Sequence, residues 1–185
     1  MIVADFDKTL TNYDTGTVFF VFSAKKKGFG ILSWAFVYSF KVLSKLKFIS
    51  VKTEKESMAN LFLPKSENGL EEIARVFAKT IELNALGDDI AKKTDVIIAS
   101  AGFDCYLKHV YPSHRIIGTQ LVLTKKKKFR IKEHPYGKEK AELLQEKLNV
   151  DRIDEFYTDS ISDMPTSLMA HKTYWIKDGK TINVT

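Results

Sequence analysis

The 185-residue sequence has few of the residues that mark secreted or disordered chains. It contains a single cysteine, Cys105, so no disulfide can form within the chain and the fold does not need an oxidising compartment. Four prolines and nine glycines are too few for a low-complexity chain. The first residues lack the basic and apolar regions of a signal peptide, and we therefore expect a cytoplasmic protein.

Acidic residues are missing from one long stretch, Thr15 to Thr53, although the whole chain holds 23 of them. This stretch carries seven lysines, at positions 25, 26, 27, 41, 45, 47 and 52. It also carries nine aromatic residues, which are Phe19, Phe20, Phe22, Phe29, Trp34, Phe36, Tyr38, Phe40 and Phe48. The net charge of +6 therefore originates in this stretch, and the rest of the chain is close to neutral.

Apolar patterns divide the chain into three regions. Ile2 to Ala4 is a short apolar run that stops at Asp5, as a buried strand does where it meets a polar loop. From Thr15 to Leu86 the pattern is helical, with apolar residues three and four apart between Leu70 and Leu86. After Gly87, strands and helices alternate. Strands are predicted at 95–100, 115–119, 155–158 and 173–176, a hairpin at 121–131 and a helix at 137–148.

This alternation predicts an α/β fold with a Rossmann-like three-layer core and a parallel sheet. The core comprises residues 1–13 and 87–185, and residues 14–86 form an inserted, all-helical domain.

Carboxylates follow two of the predicted strands. Asp5 and Asp7 project to one side of an extended chain, and two carboxylates so close together need a cation or a shared proton. Asp159 and Asp163 follow a later strand. In open α/β sheets, ligands bind beyond the carboxyl ends of strands, and oxygen ligands of this kind suit Mg²⁺. An alternative for Asp163 is that it caps the helix beginning at Met164.

Two further features suit an anionic ligand. Ser100 ends the second strand and precedes Ala101 and Gly102, whose backbone amides could approach an anion. Gly137 to Lys140 opens a helix with a cation that could meet a phosphoryl oxygen.

In this order, the sequences Asp5-Phe6-Asp7-Lys8-Thr9, Ser100, Gly137-x-x-Lys140 and Asp159-Ser160-x-x-Asp163 resemble the motifs of the haloacid dehalogenase-like hydrolase superfamily. The phosphoserine-phosphatase-like branch, subfamily IB, is the most similar. The resemblance covers the whole core, whereas the inserted domain is only weakly similar in sequence to the C1 helical cap of that branch.

The resemblance implies a Mg²⁺-dependent phosphatase that forms an aspartyl-phosphate on Asp5. Asp7 would be the general acid and base, and Ser100 and Lys140 would hold the transferring phosphoryl group. Alignment of the run Lys-Ala-Glu-Leu-Leu favours Lys140 over Lys138. Mg²⁺ would be held by Asp5, the Asp7 carbonyl and Asp159, with Asp163 close by, directly or through water. Substrate contacts are expected at Thr9, Asp14, Ala101 and Gly102.

Departures from the family pattern concern the substrate. Asp14 stands where phosphoserine phosphatases carry a longer Glu that meets the substrate amine. Arg75, the only arginine of the inserted domain, does not match the arginine that meets the substrate carboxylate. Lys8 stands where the family often has Gly or Ser. Ser162 stands where phosphoserine phosphatases commonly have Asn. We therefore expect a small phosphorylated metabolite as substrate, and phosphoserine is not favoured.

The basic aromatic stretch leaves alternatives open. Phe29 to Leu43 is apolar nearly all round, but about 15 helical residues span roughly 22 Å, short of a ~30 Å hydrocarbon core. The helix is then buried in the cap, forms a dimer face, or touches an anionic membrane peripherally at its inner face. The last case would suit a lipid-headgroup phosphatase, acting for example on phosphatidylglycerophosphate.

Two further classes are alternatives of another kind. One is a catalytically idle binding protein on the same scaffold, which the intact set of motifs disfavours. The other is a response-regulator receiver, which places its phosphorylated Asp after the third strand and has no cap. Lys125 to Lys128 is expected to be a solvated hairpin tip, so no nucleic-acid partner is expected.

Overall fold

The computed structural model describes all 185 residues, which form one seven-stranded sheet and eight helices. The strands are β1 (Ile2–Ala4), β2 (Val96–Phe103), β3 (Arg115–Leu123), β4 (Phe129–Glu133), β5 (Ile153–Thr158), β6 (Ala170–Lys177) and β7 (Lys180–Val184). The helices are α1 (Thr15–Lys26), α2 (Leu32–Lys45), α3 (Val51–Phe62), α4 (Glu67–Ala78), α5 (Ala85–Ala91), α6 (Asp104–Val110), α7 (Lys138–Leu148) and α8 (Met164–Ser167). No helix combines the length and the apolar character needed to cross a bilayer.

The strand order is β4-β3-β2-β1-β5-β6-β7. β1 lies in the middle and pairs in parallel with β2 on one side and β5 on the other. β3 and β6 continue the parallel arrangement outward, and only the edge strands β4 and β7 are antiparallel. The predicted α/β fold with a largely parallel sheet is confirmed. The carboxyl ends of β1, β2 and β5 consequently meet at one edge of the sheet.

Each face of the sheet has its own apolar core, because successive side chains of a strand point to opposite faces. Val3 of β1 faces a smaller cluster that includes Leu143 and Leu144 of α7. Ala4 faces a larger cluster. That larger cluster also contains Phe19 of α1, Phe77 of α4, Phe103 of β2 and Tyr106 of α6. Because α1 and α4 share this core with the sheet, the division of the chain at residues 13 and 87 stays a prediction.

Several element boundaries differ from the predicted ones. The strand expected to end at Ser100 continues to Phe103, and its pairing with β3 shifts register between Ala99 and Phe103. The helix expected from Leu70 to Leu86 ends at Ala78, and a separate helix, α5, follows after Asn84. Small residues after Ser100 resemble a strand end in sequence although the backbone remains paired. Neither α6 nor β7 was predicted.

Asn84 fastens the loop that follows β1. Its Nδ2 donates a hydrogen bond to the Thr9 carbonyl at 2.9 Å, and its Oδ1 accepts one from the amide of Gly87 at 2.9 Å. The backbone amide of Asn84 donates to the Leu10 carbonyl at 2.9 Å. Gly87 allows this close approach, since a Cβ there would lie 2.4 Å from the Leu10 oxygen. The loop that carries Asp5 and Asp7 is thereby joined to the start of α5.

Replacement of Asn84 should destabilise the fold. Asn84→Ala removes the cap of α5 and leaves the Thr9 carbonyl without this buried donor, so the free energy of unfolding should fall by about 1 to 3 kcal/mol. Urea denaturation measures the change. Asn68→Ala, at an exposed position in α4, is the matched control and should change stability by less than about 0.5 kcal/mol. Equal effects of the two substitutions would contradict the anchoring role of Asn84.

Candidate active site

A cleft of ≈ 230 Å³ opens at the carboxyl ends of β1, β2 and β5. Most residues predicted from the motifs line it, namely Asp5, Asp7, Asp14, Ser100, Ala101, Lys140, Asp159 and Asp163. The opposite wall is made by α1, α2 and α3, which contribute Gly16, Phe20, Lys41, Val51, Lys55 and Met58. Residues from 5 to 163 therefore meet in one place, between the sheet and the inserted helices.

Lys140 is a buried cation between two carboxylates. Its Nζ lies 3.0 Å from Asp5 Oδ1 and 2.6 Å from Asp163 Oδ2, and only 2% of its side chain is exposed. Burial by itself would lower the pKa of Lys140, but the charges of Asp5 and Asp163 raise it above its ordinary value. Lys140 therefore carries a positive charge at neutral pH. Lys138 instead points outward and pairs with Glu142 on the surface.

Asp163 belongs to this ion-paired group and also occupies the N-cap position of α8. Its Oδ2 accepts hydrogen bonds from Lys140 Nζ and from the Thr158 hydroxyl at 2.8 Å. It makes no side-chain bond to the amides that open α8. Asp163 therefore stands where the capping alternative places it, but its carboxylate is used by Lys140 and Thr158 and not by the helix.

Asp7 is held by hydrogen bonds from α1. The backbone amide of Thr15 donates to Asp7 Oδ1 at 2.8 Å, and the Thr15 hydroxyl donates to the same oxygen. The Tyr106 hydroxyl lies 2.9 Å from the Thr15 hydroxyl, which extends the chain of hydrogen bonds to α6. Burial raises the pKa of Asp7 to about 7, with further contributions from the charges of Asp14 and Asp5, while the bonds from Thr15 oppose the shift.

The carboxylates offer a donor set suited to Mg²⁺. Burial raises the pKa of Asp159 to about 6, and the negative charge of Asp5 adds to the shift. No three His, Cys, Asp or Glu side chains come close enough together to enclose a metal ion. The expected ligand set needs no such cluster, because it contains only two carboxylates, those of Asp5 and Asp159, together with the backbone carbonyl of Asp7. Mg²⁺ usually keeps several waters and takes only one or two carboxylates.

The carboxylate of Asp14 forms an ion pair with Lys41 of the same chain. Asp14 begins α1 and accepts hydrogen bonds from the amide and the hydroxyl of Thr17, both at 2.8 Å. Lys41 Nζ of α2 donates to Asp14 Oδ2 at 3.1 Å and lies 3.4 Å from Glu54 of α3. Burial alone would raise the pKa of Asp14, but Lys41 and the bonds from Thr17 hold it below its ordinary value.

Lys55 of α3 is a site residue that the sequence did not indicate. Its Nζ donates to the Ala101 carbonyl at 2.6 Å and forms no ion pair with a carboxylate. Burial lowers the pKa of Lys55 to about 8, although the charges of Asp14 and Asp7 oppose this shift. A buried cation of this kind, facing a cleft, favours an anion. No motif marks it, because its place depends on how α3 packs on β2.

The segment after Ser100 departs from expectation. Ser100 is buried and lines the cleft, as does Ala101. The amide of Gly102, expected to face an anion, instead donates to Ser100 Oγ at 3.1 Å. Thr9 is fully buried outside the cleft lining, with its hydroxyl 3.5 Å from Asp159 Oδ1. The structure therefore gives neither Gly102 nor Thr9 a direct path to a substrate.

The fold and the cleft define an α/β protein with a mostly parallel sheet, whose polar residues gather at the carboxyl ends of the strands. Residues 2–167 match the model of the haloacid dehalogenase-like hydrolase family, and the chain belongs to that family. This confirms the resemblance that the motifs indicated. No curated protein sequence matches the chain significantly.

Solved structures share the fold at low sequence identity. A protein of unknown function from Bordetella pertussis Tohama I has a TM-score of 0.78 and 14% identity, with 95% of this chain and 88% of that chain covered. A phospho-aspartyl intermediate analogue of phosphoserine phosphatase has a TM-score of 0.60 and 15% identity, covering 94% and 84%. A probable phosphoserine phosphatase from Vibrio cholerae has a TM-score of 0.64 and 15% identity, with 93% of this chain and 54% of that chain covered.

At such identities these likenesses show the fold alone, and they agree with the expected phosphoserine-phosphatase-like branch. Family and fold together support the expected enzyme class, a phosphoric monoester hydrolase.

The raised pKa values predict a pH-dependent response to Mg²⁺. Asp7 and Asp159 have folded pKa values of about 7 and about 6, so they stabilise the metal-free fold fully below about pH 4 and lose this contribution as the pH rises through those values. Because Mg²⁺ competes with the protons, it should raise Tm more at about pH 8 than at about pH 5. Thermal unfolding in MgCl₂ and in EDTA measures this difference.

Asp159→Asn should largely remove the Mg²⁺-induced rise in Tm, whereas Asp151→Asn, at an exposed position before β5, should keep it. An equal rise at both pH values, or an unchanged rise in Asp159→Asn, would count against a metal ion at these residues.

Proposed function

We propose that the protein is a Mg²⁺-dependent phosphomonoesterase that works through an aspartyl-phosphate on Asp5. The observation that carries the proposal is the Asp5 carboxylate, which lines the cleft 3.0 Å from the buried ammonium of Lys140, with Asp7 lining the same cleft. Asp5, Asp159 and the Asp7 carbonyl would hold Mg²⁺. When bound, the ion would offset the negative charge of the phosphoryl oxygens.

The proposed reaction has two steps. In the first, an oxygen of Asp5 bonds to phosphorus while the bond from phosphorus to the leaving oxygen breaks, and Asp7 donates its proton to that oxygen. In the second, Asp7 accepts a proton from the water that attacks phosphorus, and the Asp5 carboxylate is released with inorganic phosphate. A pKa of about 7 suits both roles, because Asp7 is then readily protonated and deprotonated near neutral pH.

Neighbouring residues support these roles. Lys140 and the Ser100 hydroxyl would hold the transferring phosphoryl group, since both are buried at the cleft floor. Thr15 and Tyr106 would keep the Asp7 carboxyl oriented through their hydrogen bonds. Removal of a positioned acid or base typically slows a reaction by about 10² to 10⁴.

The second wall of the cleft supports a particular kind of substrate. Lys41 satisfies Asp14, so a substrate amine is not needed there. Lys55 Nζ is held by the Ala101 carbonyl and lies over the Phe103 ring, but no carboxylate pairs with it, so its charge suits an anionic group of the substrate. We therefore propose a small phosphorylated metabolite with a second anionic or strongly polar group, and phosphoserine remains disfavoured.

A lipid-headgroup phosphatase is the second candidate function. It is favoured by one observation, the exposed aromatic side chains Trp34 and Tyr38 of α2 beside Lys41 and Asp14 at the cleft rim. A screen of phosphorylated metabolites and phospholipids, with and without anionic vesicles, would separate the two candidates. An idle binding protein would hydrolyse nothing in that screen.

Asp5→Asn should abolish hydrolysis. The amide cannot attack phosphorus, so the Mg²⁺-dependent turnover of p-nitrophenyl phosphate should fall by at least about a thousandfold with the fold intact by circular dichroism. Asp151→Asn is the matched control and should keep full activity. Appreciable turnover in a well-folded Asp5→Asn variant would exclude Asp5 as the nucleophile.

Lys55→Met should weaken binding of anionic substrates. A lost charge-assisted hydrogen bond of about 1.5 to 3 kcal/mol corresponds to a rise in KM of roughly tenfold to a hundredfold. The rise should be seen for a substrate with a second anionic group, while KM for p-nitrophenyl phosphate should change little. Lys52→Met, on the exposed side of α3, is the control. Equal changes for both substrates would contradict the proposed selectivity of Lys55.

A further inference from the structure

Helix α2 presents its apolar side to solvent. Ser33 and Val37 are its only buried residues. Large apolar side chains are exposed on the helix and at both of its ends: Ile31 (88%), Leu32, Trp34, Phe36, Tyr38 (54%), Val42, Leu43, Leu46 and Phe48 (74%). We call these nine residues the α2 face. The expectation of a helix buried in the cap is therefore wrong for α2, although it holds for Phe19 and Phe20 of α1.

The members of the α2 face that belong to the helix lie on one side of it. At about 100° per residue, its members on α2 cover an arc of roughly 200°, on the side opposite Ser33 and Val37. With roughly 200 Å² for each such side chain in full exposure, the exposed area is of the order of 1,000 Å². The largest apolar patch of a soluble monomer is usually about 300 to 600 Å². A patch of this size marks a docking surface.

Positive charge flanks the α2 face along the chain, in α1, at the end of α2 and at the start of α3. Lys25, Lys26, Lys45, Lys47 and Lys52 are exposed, and none of them forms an ion pair. No acidic residue lies between positions 15 and 53 to balance them. In a symmetric dimer built on this face, the same lysines of two copies would be brought together and would repel each other. The face fits a partner that is apolar inside and negatively charged at its surface.

We propose that the α2 face docks on an anionic lipid bilayer, with α2 parallel to the membrane plane. Its aromatic side chains would enter the boundary between headgroups and acyl chains, and its lysines would meet the anionic headgroups. Tyr and Trp suit this depth because each combines an apolar ring with a polar atom. The ring of Trp34 stacks on that of Tyr38, with centroids 5.7 Å apart.

Docking in this orientation would bring the mouth of the active-site cleft close to the headgroups. Trp34 and Tyr38 border a groove that also contains Lys41 and Asp14, and these two residues line the active-site cleft. Access to a lipid phosphomonoester would follow from this orientation, and that part rests on the proposed phosphatase function. Docking itself does not depend on the phosphatase function, so the Asp5→Asn variant should bind vesicles as well as the unaltered chain does.

Co-sedimentation with vesicles tests the proposal. The full chain should sediment with vesicles of phosphatidylglycerol and phosphatidylcholine, bind pure phosphatidylcholine vesicles at least about tenfold more weakly, and dissociate at high salt. Lys45→Glu with Lys52→Glu should reduce binding at least about tenfold. Lys125→Glu with Lys126→Glu, on the exposed loop between β3 and β4, changes the charge equally and should leave binding nearly unchanged.

Trp34 gives a direct readout of insertion. The chain has two tryptophans, so Trp175→Phe leaves Trp34 as the only one. Its emission should shift to shorter wavelength on addition of anionic vesicles and should be quenched by brominated lipids. Phe36→Ser with Val42→Ser should lose this response, while Leu168→Ser with Ile182→Ser, at exposed apolar positions outside the face, should keep it.

Three results would overturn the proposal. One is the absence of sedimentation and of any emission shift with a folded protein. Another is equal binding by the two lysine-to-glutamate pairs, which would place the contact elsewhere. The third is a stable dimer, measured by analytical ultracentrifugation, that shields Trp34 and shows no vesicle binding, because the face would then belong to a second copy of the chain.

Discussion

The ammonium of Lys140 lies between Asp5 and Asp163 at 3.0 and 2.6 Å, with almost no solvent around it. Three charges buried together are tolerated only while each keeps its partner, because an uncompensated buried charge is strongly destabilising. β1, the loop after β5 and α7 must therefore meet at this point, whatever else varies. The order of strands around β1 satisfies that requirement, and the remaining polar groups of the cleft are arranged around it.

The residues of this group could be predicted because each belongs to a short local pattern. Asp5 and Asp159 follow apolar runs, and parallel strands bring their carboxyl ends together regardless of how the rest packs. Gly102 shows the limit of such reasoning, since its amide is used by Ser100 in the neighbouring turn. Thr15, Tyr106 and Lys55 were not predicted, because their contacts join positions 8 to 91 residues apart and depend on how helices pack. The edge strand β7, exposed along its length, carries no burial pattern to predict it.

The ion pair between Asp14 and Lys41 offers a physical reason for the shorter Asp at a position where phosphoserine phosphatases carry Glu. A shorter carboxylate at the start of α1 reaches less far into the cleft, and here it meets an ammonium that the chain itself supplies from α2. Glu54 of α3 lies on the other side of the same ammonium. The ion pair joins α1, α2 and α3 across the cleft wall, so a group that binds a substrate amine elsewhere in the family can serve here to hold the helices together.

The chain uses positive charge in two different physical settings. In the cleft, Lys140, Lys41 and Lys55 are buried or half-buried, and each has a fixed partner, which gives directed contacts with little dependence on salt. The lysines that flank the α2 face along the chain are exposed and unpaired, and the aromatic side chains of the face contribute little to the apolar core. A helix normally stabilises a fold by burying its apolar side, and α2 buries only Ser33 and Val37. Phe40 packs against the larger core and Phe36 contacts Phe29, but the exposed aromatic side chains of α2 are available to a surface outside the chain. In the proposed docking, the basic composition of residues 15–53 favours a negatively charged surface for that contact.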